Sequence, residues 1–165
     1  MILLWIDLYF MNKDKLDQKL NVDYFFDDVD VFVCPICQGE IEINNRNIKC
    51  IGCGRIYKID DGIPKFFVLN DVNGIEEDNV TEKVKNFYEK TPFPNYEDFE
   101  DITTLTQKAQ KSFFADLLDR QIPFGSKVLE VGCGTGQLSN FLGISNRYIF
   151  GTDICFNSLK LGQDF

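Results

Sequence analysis

The sequence predicts an α/β chain in which a small β domain with clustered cysteines precedes the start of a βαβ domain. Three observations carry this prediction. Two C-x-x-C pairs stand close together in the first part of the chain, a short apolar segment at residues 126–131 runs straight into a glycine-rich turn, and a second apolar segment at residues 147–152 ends in an aspartate. The total of 165 residues suits one domain of ordinary size or two small ones.

Composition excludes several classes of protein. Hydrophobic residues make up 44% and charged residues 26%, which is ordinary for a globular chain and excludes disordered, collagen-like and coiled-coil classes. The chain has no histidine, so any metal site must be built from Cys, Asp or Glu, and histidine-based catalysis is excluded. The net charge of −9 argues against nucleic-acid binding, because a phosphate backbone needs a basic surface.

Four cysteines form the first candidate site, with twelve residues between the two pairs: Cys34, Cys37, Cys50 and Cys53. Each C-x-x-C pair aims two sulfurs at one point, and two such turns close a tetrahedral cage that suits Zn²⁺. Disulfides are the alternative, but adjacent pairs in a chain without a secretory signal favour a metal. The intervening residues 38–49 alternate apolar and polar residues around an Asn-Asn turn, which predicts a β-hairpin. Because four thiolates fill all the positions, the predicted zinc is structural.

Residues 30–69 resemble the Trm112p-like zinc-ribbon family, through the string CPIC, CIGCGRIYKIDDGIPKFF. Ribbons of that family occur as free activator subunits of methyltransferases and also fused ahead of methyltransferase domains. The resemblance therefore implies a protein partner or an interdomain contact for the ribbon, and it does not by itself imply catalysis.

Residues 1–29 form an N-terminal extension of the ribbon. Its first eleven residues, MILLWIDLYFM, are apolar apart from Asp7 and too few to span a bilayer, which needs about 20. The segment is interpreted as an apolar strand or as an upstream extension of a natural start at Met11, with a membrane-surface anchor as the alternative. It lacks a basic region and a cleavage site, so a secretory signal is not predicted and a cytoplasmic location is expected.

Residues 70–100 read as an acidic and aromatic linker and arm. Nine acidic and three basic residues lie between positions 71 and 100. A helix is predicted over residues 81–90, with Val84, Phe87 and Tyr88 on one face, and the prolines at 92 and 94 then keep the chain extended. An arm packed on the next domain is favoured over a lid above a ligand.

Residues 101–165 begin with a second predicted helix over 105–121, in which Phe113, Leu117 and Leu118 share a face. The strand at 126–131, the turn G-x-G-x-G and the helix that follows are typical of the start of a nucleotide-binding βαβ unit. The second strand, at 147–152, ends in Asp153, where an acidic side chain can accept hydrogen bonds from ribose hydroxyls.

The ligand predicted for this turn is S-adenosylmethionine. Gln137 occupies the position where the dinucleotide fingerprint has glycine, and Glu130 is poorly placed for a pyrophosphate but suits an ammonium group. S-adenosylmethionine has no phosphate, and it carries an amino group, a carboxylate, a sulfonium and a ribose. The candidate binding residues are Glu130, Gly132, Cys133, Gly134, Gly136, Asp153 and Ile154, of which Ile154 is placed to pack on the adenine.

The segment VLEVGCGTG resembles motif I of the class I S-adenosylmethionine-dependent methyltransferases, and GTDI resembles their second motif. The resemblance implies an incomplete Rossmann-like domain, because that family has seven strands and only two are predicted here. Residues 101–165 are therefore expected to be the N-terminal part of a longer methyltransferase domain.

Two hypotheses for function follow. The first is a methyltransferase, or a fragment of one, that acts on an unknown acceptor (a small molecule, a protein or RNA) through catalytic residues that the sequence does not identify. The second is a non-catalytic interaction module or methyltransferase activator, in which the ribbon binds a protein partner and the half-domain is inert.

Overall fold

The computed structural model describes residues 7–11, 32–44, 47–67 and 78–165. Its strands are β1 (Asp7–Met11), β2 (Ile41–Asn44), β3 (Asn47–Cys50), β4 (Ile56–Asp60), β5 (Ile63–Pro64), β6 (Lys127–Val131) and β7 (Tyr148–Asp153). Its helices are α1 (Asp78–Lys90), α2 (Ile102–Lys111), α3 (Phe113–Gln121), α4 (Gln137–Gly143) and α5 (Phe156–Asp164). The described chain is mixed α/β, as the sequence predicts.

A four-stranded antiparallel sheet, in the order β2-β3-β4-β5, forms the cysteine-bearing domain. The predicted hairpin is confirmed, because β2 pairs with β3 in a register that sets Ile43 opposite Ile48. Alternation along the strands directs Ile48 and Tyr57 into a buried cluster with Cys34 and Cys50, while the intervening side chains face solvent. A small sheet of this kind buries little apolar surface by itself.

The second sheet has the order β1-β7-β6. The strands β6 and β7 are parallel and α4 connects them, so this part of the chain is a βαβ unit. The strand β1 pairs antiparallel with the outer edge of β7, from Asp7 opposite Asp153 to Met11 opposite Ile149. Residues 7–11 are thus a strand, in agreement with one interpretation of the apolar segment, and the sequence did not predict that this strand would join the βαβ sheet.

The two faces of this second sheet have different partners. Ile149 lies in a cluster with Ala115 of α3 and with Phe141 and Leu142 of α4. The next residue, Phe150, points to the opposite face and lies in the same cluster as the core of the cysteine-bearing domain. That domain therefore packs on one face of the βαβ sheet, and α3 and α4 pack on the other.

The helix predicted over 105–121 is two helices, α2 and α3, which meet at Ser112 in an extended conformation with ψ of 118°. The break changes which residues point inward, since α3 begins a new helical face. Leu118 packs against the buried cluster, whereas Phe113 is 82% exposed and Leu117 is also exposed. The prediction of a shared buried face for these three residues is wrong.

The helix predicted over 81–90 is confirmed as part of α1, which begins at Asp78, and its apolar residues Val84, Phe87 and Tyr88 are exposed. The contact between α1 and α5 is polar. The Glu89 carboxylate accepts hydrogen bonds from the backbone amides of Phe156 and Asn157, each at 3.0 Å. Glu89 thus satisfies two amides in the first turn of α5 that have no backbone carbonyl partner within the helix.

A buried arginine links the ends of three elements of the βαβ unit. The side chain of Arg147, just before β7, is 1% exposed, and its Nη1 lies 2.6 Å from Asp119 Oδ1 near the end of α3. It also donates to the backbone carbonyls of Ile122 and Leu142. All of its charge is compensated within the fold, as burial of a guanidinium requires. Among the helices of the described ranges, none has the length and apolarity to cross a bilayer.

Candidate metal centre and glycine-loop site

The four predicted metal ligands converge on one point. The Sγ atoms of Cys34 and Cys53 lie 3.8 Å apart, those of Cys37 and Cys50 lie 3.4 Å apart, and all four lie within 4.8 Å of one another. Tetrahedral coordination with Zn–S bonds of about 2.3 Å requires sulfurs separated by about 3.8 Å. All four thiols are free in the structure, so none of these cysteines forms the disulfide that was the alternative. The donor set and its spacing fit a Zn²⁺ ion.

The two knuckles have the same hydrogen-bond pattern. The amide of Gln38 donates to the carbonyl of Cys34 at 2.8 Å, and the amide of Gly54 donates to the carbonyl of Cys50 at 3.0 Å. Both residues that close the turns are left-handed, with φ of 60° for Gln38 and 71° for Gly54. The repeated C-x-x-C spacing therefore produces two equivalent turns, which is why the sequence pattern predicts this site well.

Two further glycines leave room for the sulfurs. A Cβ atom on Gly39 would lie 3.3 Å from Cys37 Sγ and 3.4 Å from Cys50 Sγ, and one on Gly52 would lie 3.5 Å from Cys37 Sγ. A glycine in a knuckle is often there for a left-handed conformation, but Gly52 has no positive φ. Gly52 leaves space beside the four sulfurs that a side chain would fill, and Gly54 is the residue with the left-handed conformation.

The hydroxyl of Tyr57 contacts Cys34, one of the four candidate ligands, and affects the pKa of its thiol. Tyr57 is buried, and its Oη lies 3.0 Å from Cys34 Sγ. Burial alone raises the pKa of the Cys34 thiol, but hydrogen bonds from the Tyr57 hydroxyl and from the backbone of Cys37 and Ile36 together lower it to about 6. Cys34 is therefore the ligand best prepared to be a thiolate.

The pKa of the Cys37 thiol is shifted in the opposite direction, upward. The backbone of Gly39 lowers the pKa of the Cys37 thiol, but its neighbours Cys50, Cys53 and Cys34 raise it to about 12. Four thiols this close cannot all ionise without a cation among them, because each new thiolate repels the others. A bound divalent metal removes that repulsion and allows all four to act as ligands.

The glycine loop between β6 and α4 is built from left-handed residues. Gly132, Gly134 and Gly136 have φ of 69°, 55° and 70°, a conformation in which only glycine is free of Cβ strain. The amides of Gly132 and Cys133 both donate to the carbonyl of Thr152, at 2.7 and 2.9 Å. The loop is thus attached to the end of β7, and the G-x-G-x-G spacing follows from its backbone path.

Two carboxylates flank this loop. Asp153, at the end of β7, accepts hydrogen bonds from the amides of Gly134 and Cys155, each at 2.8 Å. Glu130, on β6, accepts one from the Ser139 hydroxyl at 2.5 Å. Burial raises the pKa of Glu130, against the opposing effect of Ser139. Burial also raises the pKa of the Cys133 thiol, and the charges of Glu130 and Asp153 raise it further, which shows that the loop lies in an acidic environment.

The structure thus brings together six of the seven predicted loop residues: Glu130, Gly132, Cys133, Gly134, Gly136 and Asp153. Ile154 lies half-buried directly after Asp153. Cys155 is buried and caps α5, because its Sγ accepts from the amide of Ser158.

The arm at residues 91–99 is packed on the loop, as the favoured interpretation predicts. Tyr96 is buried, and its hydroxyl donates to the carbonyl of Thr135 at 2.8 Å. The Thr135 hydroxyl donates to the carbonyl of Pro94, and the ring of Tyr96 stacks on Phe165 with centroids 3.9 Å apart. Phe93 in the same arm is 73% exposed.

Several residues that hold the loop were missed by sequence reasoning. Asn140 is fully buried and donates to Tyr96 Oη at 2.8 Å and to the carbonyl of Gly162 at 3.0 Å. A Cβ atom on Gly162 would overlap the Thr135 carbonyl oxygen, so α5 lies directly against the loop. An asparagine inside the apolar segment LSNFL was a usable signal, because a buried amide needs partners. Gly162 and Glu89 carried no such signal.

Comparisons with protein-family models, with curated proteins and with solved structures find no match to this chain.

Proposed function

We propose that this chain is an S-adenosylmethionine-dependent methyltransferase, or the N-terminal part of one, with a class I Rossmann-like domain and a structural zinc ribbon. The observation that carries the proposal is the glycine loop at the end of β6, which lies between Glu130 and Asp153. The motifs VLEVGCGTG and GTDI, which resemble those of the class I family, lie together in this site.

The charge of the site favours S-adenosylmethionine over a dinucleotide. Glu130 and Asp153 are close enough to raise the pKa of Cys133, which lies between them in sequence. A pyrophosphate beside Glu130 would be repelled, whereas the ammonium and sulfonium groups of S-adenosylmethionine would be attracted. Gln137 also removes the third glycine that a dinucleotide fingerprint requires.

Each predicted residue has a role in this proposal. Each oxygen of Asp153 accepts one backbone amide, and a carboxylate has further acceptor positions for the two ribose hydroxyls. Glu130 receives the amino group of the methionine part, directly or through water. The glycine loop lets the backbone approach that part closely, and Ile154 packs on the adenine.

The proposed reaction moves a methyl group in line from the sulfonium to a nucleophile of the acceptor, which is a small molecule, a protein or RNA. The protein's contribution is the positioning and desolvation of a cationic donor. Cys133 is not proposed as a nucleophile, because burial and two nearby carboxylates raise the pKa of its thiol. No described residue is proposed as a catalytic base.

The zinc ion is proposed as a structural element held by Cys34, Cys37, Cys50 and Cys53. It supplies the cross-link that a small sheet lacks, and the four sulfurs leave no position for a substrate. A cytoplasmic location is proposed because a reducing compartment keeps the four thiols available for the metal.

An interaction module is the second candidate function, and one observation favours it. The ribbon exposes four apolar side chains, each between 39% and 62% exposed: Val33, Ile36, Ile51 and Ile56. Exposed apolar side chains on a small domain are available for a protein contact. In this alternative the ribbon binds a protein partner or activates a separate methyltransferase, and the glycine loop binds nothing.

Calorimetric titration of S-adenosylmethionine into the zinc-loaded chain tests the proposal. The wild type and the control Asp98→Asn, which changes an exposed carboxylate on the arm, are expected to bind. Asp153→Asn and Glu130→Gln are expected to weaken binding, because each removes a charge beside the loop. Failure of a folded, zinc-loaded wild type to bind would overturn the methyltransferase proposal and favour the interaction module.

A further inference from the structure

Strand β5 of the ribbon, which follows the turn after β4, shares a buried cluster with the glycine loop. Ile63, at the start of β5, is 1% exposed and forms a buried cluster with Cys133 of the loop and Leu159 of α5. Phe156 packs against the same cluster. A side chain of the metal-binding domain therefore forms part of the packing beneath the loop that is proposed to bind the ligand.

Polar contacts hold this turn in place on α5. Asp61 forms an ion pair with Lys160. Lys65 is paired with Asp60 at 2.8 Å, and its ammonium lies 3.9 Å from the centroid of the Phe156 ring. The turn itself therefore contacts α5 through charge as well as through the apolar cluster around Ile63.

Backbone spacing is also tight here. Gly62 has φ of 82°, and a Cβ atom on it would lie 3.3 Å from Gln163 Nε2 on α5. That helix in turn lies against Thr135 of the loop at Gly162.

The position of the turn depends on the metal centre. Tyr57 of β4 bonds to Cys34, and its ring lies 5.2 Å from the ring of Phe66, just past β5. One buried cluster also joins Phe150 of β7 to Cys34, Cys50 and Tyr57. Packed elements connect the cage to the loop on both sides, through β4 and β5 and through β7.

We propose that Ile63 is a positioning residue of the glycine-loop site, so that metal loading of the ribbon and the conformation of the loop are coupled. The inference rests on the proposed function only where S-adenosylmethionine is the probe. By thermodynamic linkage the coupling is reciprocal, so loop ligand tightens metal binding by the factor by which metal tightens ligand binding.

Alkylation of Cys133 by iodoacetamide measures the coupling without any loop ligand. Cys133 is 8% exposed and lies in the same buried cluster as Ile63, whereas Cys155 is fully buried and serves as an internal reference. The zinc-loaded full chain is alkylated under native conditions, and the modified cysteines are located and timed by peptide mass spectrometry. In Ile63→Ala the rate at Cys133 is expected to rise about tenfold, with less change at Cys155 and full zinc content.

Three further variants separate positioning from general destabilisation. Ile63→Val keeps most of the side chain and is expected to raise the Cys133 rate less than Ile63→Ala does. Leu142→Ala opens a cavity in the cluster on the opposite face of the sheet, and Ile56→Ala shortens an exposed isoleucine of the ribbon. Both are expected to leave Cys133 protected. An equal rise in the alkylation rates of Cys133 and Cys155 in Ile63→Ala would mean that the variant destabilises the whole fold, and it would overturn the proposal.

Removal of zinc with a chelator completes the test. The Cys133 rate in the metal-free chain is expected to rise at least as much as in Ile63→Ala. Protection of Cys133 that is unchanged without zinc would overturn the coupling.

Titration with S-adenosylmethionine then separates this inference from the proposed function. Ile63→Ala is expected to weaken binding about tenfold, within the range usual for coupled sites. Absence of binding in the wild type, together with the Cys133 response, would defeat the proposed ligand and leave the coupling intact. Equal affinity of wild type and Ile63→Ala would overturn the coupling at the ligand site and leave the proposed ligand intact.

Discussion

The candidate metal centre takes all four ligands from residues 34–53, whereas the glycine-loop site is held by residues as distant as Tyr96 and Gly162. The first is made of two equivalent turns, and its geometry follows from local backbone hydrogen bonds. The second depends on side chains from the arm, from α5 and from the ribbon. A site built locally depends on its ligands, and a site built from distant segments depends on the packing between them.

The largest expected effect is loss of the metal. Cys50→Ser removes a ligand of the cage, and the ribbon is expected to lose zinc and unfold, since structural zinc contributes about 10–16 kcal/mol to small metal-bound domains. Zinc content by mass spectrometry and hydrogen exchange of residues 41–60 measure the result. The control Cys133→Ala changes a cysteine outside the cage and is expected to keep one zinc per chain. Stoichiometric zinc in Cys50→Ser would show that the four-cysteine assignment is wrong.

The βαβ unit is expected to depend in a similar way on Arg147. Arg147→Met breaks the buried pair with Asp119 and leaves carbonyls without their donor, so a loss of about 3–5 kcal/mol in the free energy of unfolding is expected. Urea denaturation of the zinc-loaded chain measures it.

A matched control is Arg120→Met, since Arg120 pairs with Asp116 one turn away and is 73% exposed. Its effect is expected to be about 0.5 kcal/mol or less. Equal effects of the two arginine variants would show that the buried network does not stabilise this region.

A smaller effect is expected from Tyr57→Phe, which keeps the ring and removes the hydroxyl beside Cys34. Metal affinity is expected to fall about 10- to 100-fold, because partners that orient a ligand usually contribute that much. Competition with a chromophoric chelator measures the affinity. Tyr148→Phe, at a position packed against the same cluster, is the control and is expected to change little. A zinc affinity of Tyr57→Phe equal to that of the wild type would limit the tyrosine to packing.

The smallest effects compare two glycines of the loop. Gly132→Ala places a side chain at a left-handed residue with open space around it, and about 1 kcal/mol of destabilisation is expected. Gly134→Ala adds a contact, since its Cβ would lie 3.1 Å from the Phe93 carbonyl oxygen, and about 2 kcal/mol is expected. Urea midpoints measure the difference. Equal destabilisation would mean that the arm yields at Phe93 and does not constrain the loop.

The outcome of the sequence predictions follows the same division. The cage, the hairpin and the strand–loop–helix segment were predicted, because each is specified by spacing over a few residues. The helix over 105–121 was predicted unbroken, since its apolar spacing does not reveal the turn at Ser112. Phe113 lies directly after that break and is exposed, which the apolar spacing over 105–121 did not predict either.

The sequence alone determined the local geometry of both sites. Two C-x-x-C pairs dictate two knuckles, and three alternate glycines dictate a left-handed loop, because these conformations depend on a residue and its near neighbours. Only the tertiary structure decided that Asp7–Met11 joins β7, that Asn140 and Tyr96 hold the loop, and that Ile63 lies beneath it. Those contacts join residues far apart in the chain, and which distant surfaces meet depends on the packing of the whole fold.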